Sequence, residues 1–222
     1  MTTLSRPDDE TLLRHAAGRL DAGLSLVVDT HLALCPETGR IFAQFEAIGG
    51  LLLEESAPAP VESSALNAAL AALAAPDSAV KASRQVSQEA SHAPDLPADL
   101  MLPRPLLGRK MGAWRWIAPG VRSRRIEIAP TSVSRAFLIE LAPGVRIPRH
   151  GHAGCEMTCV LRGSFIDRNQ HYPESSFSQA DEDEEHDIFV DSETPCISLV
   201  ALEGRTRPTH WGGRLYQRVR DL

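Results

Sequence analysis

The chain has 222 residues, of which 43% are hydrophobic and 23% charged, with a formal net charge of -6 at pH 7. That length can bury a real core, as one large domain or two small ones, and the balance fits a soluble globular protein. The densest positive cluster, Arg122, Arg124 and Arg125, has no interleaved aromatics, which argues against direct nucleic-acid binding.

No stretch is apolar enough to span a membrane, and the first residues lack the basic and apolar regions of a signal peptide, so a cytoplasmic protein is expected. Cys35, Cys155, Cys159 and Cys196 are widely spread, a pattern of thiols or ligands in a reducing compartment rather than a disulfide framework.

In chain order, Asp8, Asp9 and Glu10 open a first helix, because carboxylates are favoured by the amide dipoles of a first turn. Leu12, Leu13, Ala16, Ala17 and Leu20 follow at helical spacing. A second helix carries Leu24, Val27, Val28, His31, Leu32 and Cys35 on one apolar stripe and stops at Pro36, which can begin a helix but not sit inside one. The third is predicted over residues 37–55, with Ile41, Phe42, Phe45, Ile48 and Leu52 as its buried face. His31 and Cys35 lie four residues apart on one side of the second helix, a geometry that can chelate zinc. Two ligands do not make a site, and both read equally as members of a helical core.

Pro58 and Pro60 stiffen a hinge before residues 63–75, SSALNAALAALAA, which form a short helix with a stripe at Leu66, Leu70 and Leu73. These leucines must lie against something, either their own domain or another protein, and are candidate partner-binding residues. Residues 76–100, rich in Ala, Ser, Pro and Gln without periodicity, read as a linker. The chain thus divides into a helical bundle at 1–75, a linker at 76–100 and a second domain at 101–222.

The second domain reads as strands over 114–117, 122–128, 133–141, 156–166, 187–190 and 196–202, separated by Pro, Gly and Asn turn signals. That rhythm is an antiparallel sandwich or barrel. The acidic run at 181–185 reads as a solvated loop whose charge would favour a nearby cation, and His171 and His210 as surface residues.

The richest chemistry lies in residues 144–163, GVRIPRHGHAGCEMTCVLRG. In an extended segment side chains alternate faces, so His150 and His152 point the same way, and Glu156 keeps that parity if the strand continues. Cys155 and Cys159 have the opposite parity and read as packing residues facing away. Two imidazoles and a carboxylate suit zinc, iron, manganese or nickel. His186, just before the apolar run Ile188, Phe189 and Val190, is the candidate fourth ligand from a neighbouring strand.

The spacing from Gly144 through His150, His152 and Glu156 to Gly163 resembles the first motif of the cupin superfamily. That resemblance implies a small antiparallel β-barrel holding one divalent metal, zinc first among the four, on His150, His152, Glu156 and His186. The second cupin motif is poorly kept, with Ser175 and Ser176 where a turn glycine is expected. Serine tolerates the positive backbone angle of such a turn less well than glycine.

A helical domain followed by a cupin resembles the ChrR family of cupin-type anti-sigma factors. The resemblance is carried by Leu12-Leu13, Ala16-Ala17-Gly18, SLVVDTHLALC at 25–35 and Gly49-Gly50 before a Leu-Leu-Glu-Glu run. The barrel residues and the ending Gly212-Gly213-Arg214-Leu215-Tyr216-Gln217 add to it. It implies a helical domain that occludes the polymerase-binding surfaces of an extracytoplasmic-function sigma factor, and a cupin that senses singlet oxygen or organic hydroperoxides and releases it.

The family's zinc pattern in the helical domain is an early His followed by His-x-x-x-Cys-x-x-Cys. Here His31 and Cys35 remain, Thr38 takes the place of the second Cys, and Arg6 stands in register with the early His. Threonine is a poor zinc ligand and arginine is none. Either packing alone holds these helices, or a carboxylate such as Asp8 or Asp9 completes a weaker zinc site.

The rival reading is a metal-dependent cupin enzyme, a dioxygenase or isomerase acting on a small organic acid or diketone, whose helices serve a homodimer. A leucine face without an internal partner would favour the sigma clamp, and a deep apolar pocket over the metal would favour the enzyme.

Overall fold

The computed structural model describes residues 5–74, 96, 97, 99–204 and the backbone of 206–208. Most of the expected linker, His210 and the ending at 212–217 lie outside the described residues.

Four helices come first: α1 (Asp9–Ala16), α2 (Ala22–Leu34), α3 (Pro36–Glu54) and α4 (Ala65–Ala74). Their starts have local causes. The Asp8 carboxylate accepts the Thr11 N–H at 2.7 Å and caps α1. Pro36 fills the first turn of α3, where its missing N–H costs no helical bond.

Eleven strands follow among the described residues. The first five are β1 (Arg115–Ala118), β2 (Val121–Ile126), β3 (Ser134–Leu141), β4 (Arg146–His152) and β5 (Glu156–Arg162). The other six are β6 (Phe165–Asp167), β7 (Gln170–Tyr172), β8 (Phe177–Ala180), β9 (His186–Phe189), β10 (Cys196–Glu203) and β11 (Thr206–Pro208). They pair antiparallel in two sheets, β1-β2-β3-β10-β5-β8 and β11-β4-β9-β6-β7. Val121, Leu141, Val160 and Cys196 from the first sheet meet Ile147, Phe165 and Tyr172 from the second, so the sheets enclose a barrel core.

The outer face of the six-stranded sheet carries the helices. α2 lies across β3, β5 and β10, and its Leu24, Leu26, Val27 and Val28 share one buried cluster with Leu138, Met157, Cys159 and Leu199. Strand alternation sorts β5 between the two cores: Met157, Cys159 and Leu161 face α2, whereas Val160 packs inside the barrel. Each fully buried Leu or Val side chain contributes about 1.5–3 kcal/mol, so α2 is firmly anchored. Its N-cap adds a polar latch. Asp21 accepts from Ser132 Oγ, Ser134 Oγ and the Ser134 and Val133 N–H groups. Burial opposes ionisation there, but those hydrogen bonds win and hold the carboxyl well below the usual range.

Three expectations need correction. The strand expected over 156–166 breaks at Gly163, whose φ of 72° turns the chain between β5 and β6. A side chain there would come within 3.0 Å of the Pro195 carbonyl oxygen. Ile48 and Leu52 do not belong to the buried face of α3: they are 51% and 62% exposed, and only Ile41, Phe42 and Phe45 pack against the core. Helical periodicity marks an apolar stripe without saying whether a partner covers its whole length. Finally, β7, β8 and β11 are too short and mixed in composition to stand out as strands.

The serine in the second cupin motif does take the glycine conformation, with Ser175 at φ 69°. Its N–H to Val160 O, at 2.9 Å, and the Val160 N–H to Ser176 O, at 3.0 Å, hold the turn against β5. A left-handed non-glycine residue costs about 1–2 kcal/mol, and glycine returns part of that as unfolded-chain entropy. Ser175→Gly should therefore raise stability by about 1 kcal/mol, read as a higher urea midpoint at unchanged slope.

Candidate metal centre

His150 and His152 both point into the barrel from β4, as their spacing of two dictates, and both are buried. β4 pairs with β9 so that His150 lies opposite His186, which brings the third imidazole in from the neighbouring strand. One ligand nitrogen from each of the three lies within 4.8 Å of the others. Glu156 arrives differently from the expectation. The chain leaves β4 at His152, and Glu156 opens β5 in the opposite sheet, so it faces the histidines across the barrel. Its carboxylate oxygens stand 3.5 Å from His152 Nε2 and 3.8 Å from His186 Nε2.

Hydrogen bonds aim the donors. His150 donates from Nδ1 to Pro148 O at 2.9 Å, which turns its Nε2 inward. His186 donates from Nδ1 to Asp167 Oδ2 at 3.1 Å, which turns its Nε2 toward the same point. His152 Nε2 lies 2.9 Å from His186 Nε2, and His152 Nδ1 is buried without a hydrogen-bond partner. Two inward imidazole nitrogens so close can share one proton or one cation.

Burial, reinforced by the neighbouring imidazoles, lowers His150 to a pKa of about 4 and His152 to about 3. Both imidazoles are neutral at pH 7. Burial pushes Glu156 up to about 7, with the charge on His186 opposing. Burial opposes protonation of His186, but the Asp167 hydrogen bond and the Glu156 and Asp167 charges raise its pKa. Three buried imidazoles and a partly buried carboxylate around one point fit a divalent cation, which would relieve the crowding of lone pairs.

Asp167 was not singled out from the sequence. It ends the short β6, buried, directly behind His186. The signal that could have found it is Gly163: a turn there restarts the alternation and sends Phe165 and Asp167 inward. A carboxylate behind a ligating histidine fixes its tautomer and orientation. Asp167→Asn is expected to weaken metal affinity about 10–100-fold without removing a ligand, measured by competition with a chromogenic chelator.

A cavity of about 310 Å³ opens inside the barrel beside the centre, lined by apolar residues such as Val121, Phe137, Ile139 and Val200, with His150 and Glu156 at one side. Cys155 and Cys159 pack outward against the helical cluster, as their parity implied.

The remaining candidates lie elsewhere. His31, Cys35 and Thr38 meet in a buried pocket between α2 and α3. Asp8 is occupied with its cap and Asp9 with Arg6 at 2.9 Å, so neither turns toward that pocket. Leu66, Leu70 and Leu73 on α4 are 68%, 55% and 83% exposed. Ile48, Leu51, Leu52 and Leu53 on the far half of α3 are also exposed. No helix among the described residues is long and apolar enough to cross a membrane.

Helices docked on an antiparallel barrel that converges three imidazoles and a carboxylate define a helix-bearing cupin with a candidate metal centre. Residues 109–204 match the family described as the ChrR cupin-like domain. Over 212 residues, covering 93% of both chains, the sequence is 32% identical to the anti-sigma-E factor ChrR of Cereibacter sphaeroides. The fold is similar to the crystal structure of Rhodobacter sphaeroides SigE in complex with the anti-sigma ChrR, with a TM-score of 0.71 at 29% identity over 90% of this chain and 98% of that one. An RmlC-like cupin protein from Ralstonia eutropha JMP134 is more distant, with a TM-score of 0.38 at 16% identity over 45% of this chain and 66% of that one. The chain belongs to the ChrR family of cupin-type anti-sigma factors.

Proposed function

We propose that this protein is a cytoplasmic anti-sigma factor that sequesters an extracytoplasmic-function sigma factor and lets it go when the cupin centre meets an oxidative signal. The observation that carries this reading is the apolar surface of α4 and the far half of α3, where Leu51, Leu52, Leu53, Leu66, Leu70 and Leu73 are all exposed. Six large apolar side chains exposed on two consecutive helices are too many for idle surface and suit a groove-filling contact with a protein partner. Family membership over nearly the whole chain favours this reading over the cupin enzyme.

His150, His152, His186 and Glu156 would hold one divalent metal, zinc first, with iron, manganese or nickel as the other choices. When bound, the metal supplies a Lewis-acidic position at the edge of the barrel cavity. The cavity's apolar lining suits a small organic hydroperoxide better than a highly polar signal. β5 offers a route from centre to clamp. Glu156 begins that strand on the barrel side, and Met157 and Cys159 lie beneath α2 on the other side. A signal that displaces Glu156 would shift the floor on which α2 rests, and release follows only if that state binds the sigma factor less tightly.

The test is co-expression of the full chain with a group 4 sigma factor from the same genome, followed by size-exclusion chromatography. Equimolar co-elution is expected. Separate elution of two folded proteins, repeated across the genome's group 4 sigma factors, would sink the reading.

A further inference from the structure

The pocket between α2 and α3 has the layout of a metal site but not its chemistry. His31 Nε2 lies 3.1 Å from Thr38 Oγ1, and Thr38 Oγ1 donates to Cys35 Sγ at 3.3 Å. A threonine hydroxyl has one hydrogen. Its single hydrogen and its oxygen lone pairs thus serve both neighbours, and an ion bound here would have to displace both contacts. Where a metal site needs a third strong donor, the pocket offers only the neutral hydroxyl of Thr38.

The surroundings also disfavour a cation. His31 and Thr38 are 0% and 1% exposed, and the His31 ring packs edge-on against Phe177 of β8 with centroids 5.6 Å apart. Burial holds His31 at a pKa of about 4 against a hydrogen bond to the Ser175 backbone, with the positive charge of Arg6 as the lesser cause. Its own guanidinium is tied to Asp9 and the Pro7 carbonyl. Among the described residues, the one group of three convergent ligand side chains is in the barrel.

We propose that the hydrogen-bonded cluster His31, Thr38 and Cys35 does the work of a metal ion, crosslinking α2 to the first turn of α3. The helical region then keeps its shape with no metal of its own. On the sigma-clamp reading above, its grip survives chelation, and any control by metal acts through the barrel alone. A hydroxyl at position 38 is also inert to the oxidants that attack a thiolate ligand.

The test counts metal in the purified full chain and in a His150→Ala/His152→Ala/His186→Ala variant, both grown with excess zinc. One equivalent is expected in the wild type and none in the variant. Chelation of the wild type should release that single equivalent and leave the helical circular-dichroism signal unchanged. A zinc that persists in the barrel variant and disappears on adding Cys35→Ser would overturn the proposal. So would release of two equivalents from the wild type with loss of helix.

Thr38 supplies a second arm that does not depend on the barrel variant folding. Thr38→Val, which leaves His31 Nε2 without its hydrogen-bond partner, should lower the urea midpoint of chelated protein, whereas Thr38→Ser should keep it. Equal midpoints for the two would refute the hydrogen-bond role. A wild type that binds no metal anywhere would instead defeat the barrel metal reading and leave this cluster standing.

Discussion

Replacing Leu66 and Leu70 together by Asp is expected to weaken sigma-factor binding by two to three orders of magnitude while leaving the protein folded. Both side chains are mostly exposed, so neither supports the core, and surface substitutions away from packing usually change stability by less than about 0.5 kcal/mol. At an interface each would bury its apolar surface, and truncating a central anchor costs about 2 kcal/mol or more. A carboxylate left desolvated in the same place costs more still. Neighbouring hot spots are less than additive, so the two sites together amount to about 3–4 kcal/mol, which is the stated loss in affinity. Surface plasmon resonance with the immobilised sigma factor reads this directly, and thermal unfolding of the variant controls for the fold. An unchanged affinity would move the contact off α4. The exposed leucines of α3 would then be the next to test.

The second large effect concerns the barrel. The His150→Ala/His152→Ala variant should lose its metal and fail to release the sigma factor under oxidant, yet bind it about as well as the wild type. Both imidazoles lie in the barrel interior, whereas the leucines proposed to grip the partner are exposed on α3 and α4, outside the barrel. Removing a whole donor pair abolishes a site that a change behind the ligand, such as Asp167→Asn, only weakens. Metal content, an oxidant-induced reporter and equilibrium binding give three separate readouts. Loss of sigma binding in a variant with native circular dichroism would mean that the metal holds the clamp together. The barrel would then be a scaffold for the grip rather than its control.

Much of the centre was legible because it rests on short-range geometry. A period of two puts His150 and His152 on one face whatever the strand pairs with, and the glycines that bound the motif adopt positive φ, 73° at Gly144 and 72° at Gly163. The helix starts at Asp8 and Pro36 are equally local. The replacement of a cysteine by Thr38 could also be read directly, and with it the weakness of any zinc site in the helices.

Why these and the remaining side chains converge depends on which surfaces meet. His186 enters the centre because β9 pairs with β4 in one register, and Glu156 because its strand lies in the facing sheet. Asp167 matters only because β6 runs beside β9. That Thr38 bridges His31 and Cys35 requires α2 and α3 to be packed. The same limit explains α3: its apolar stripe is continuous in sequence, but the core reaches only as far as Phe45. Local periodicity is set by the backbone, residue by residue. Whether a stripe is covered, and by what, is set by long-range contacts between elements far apart in the chain.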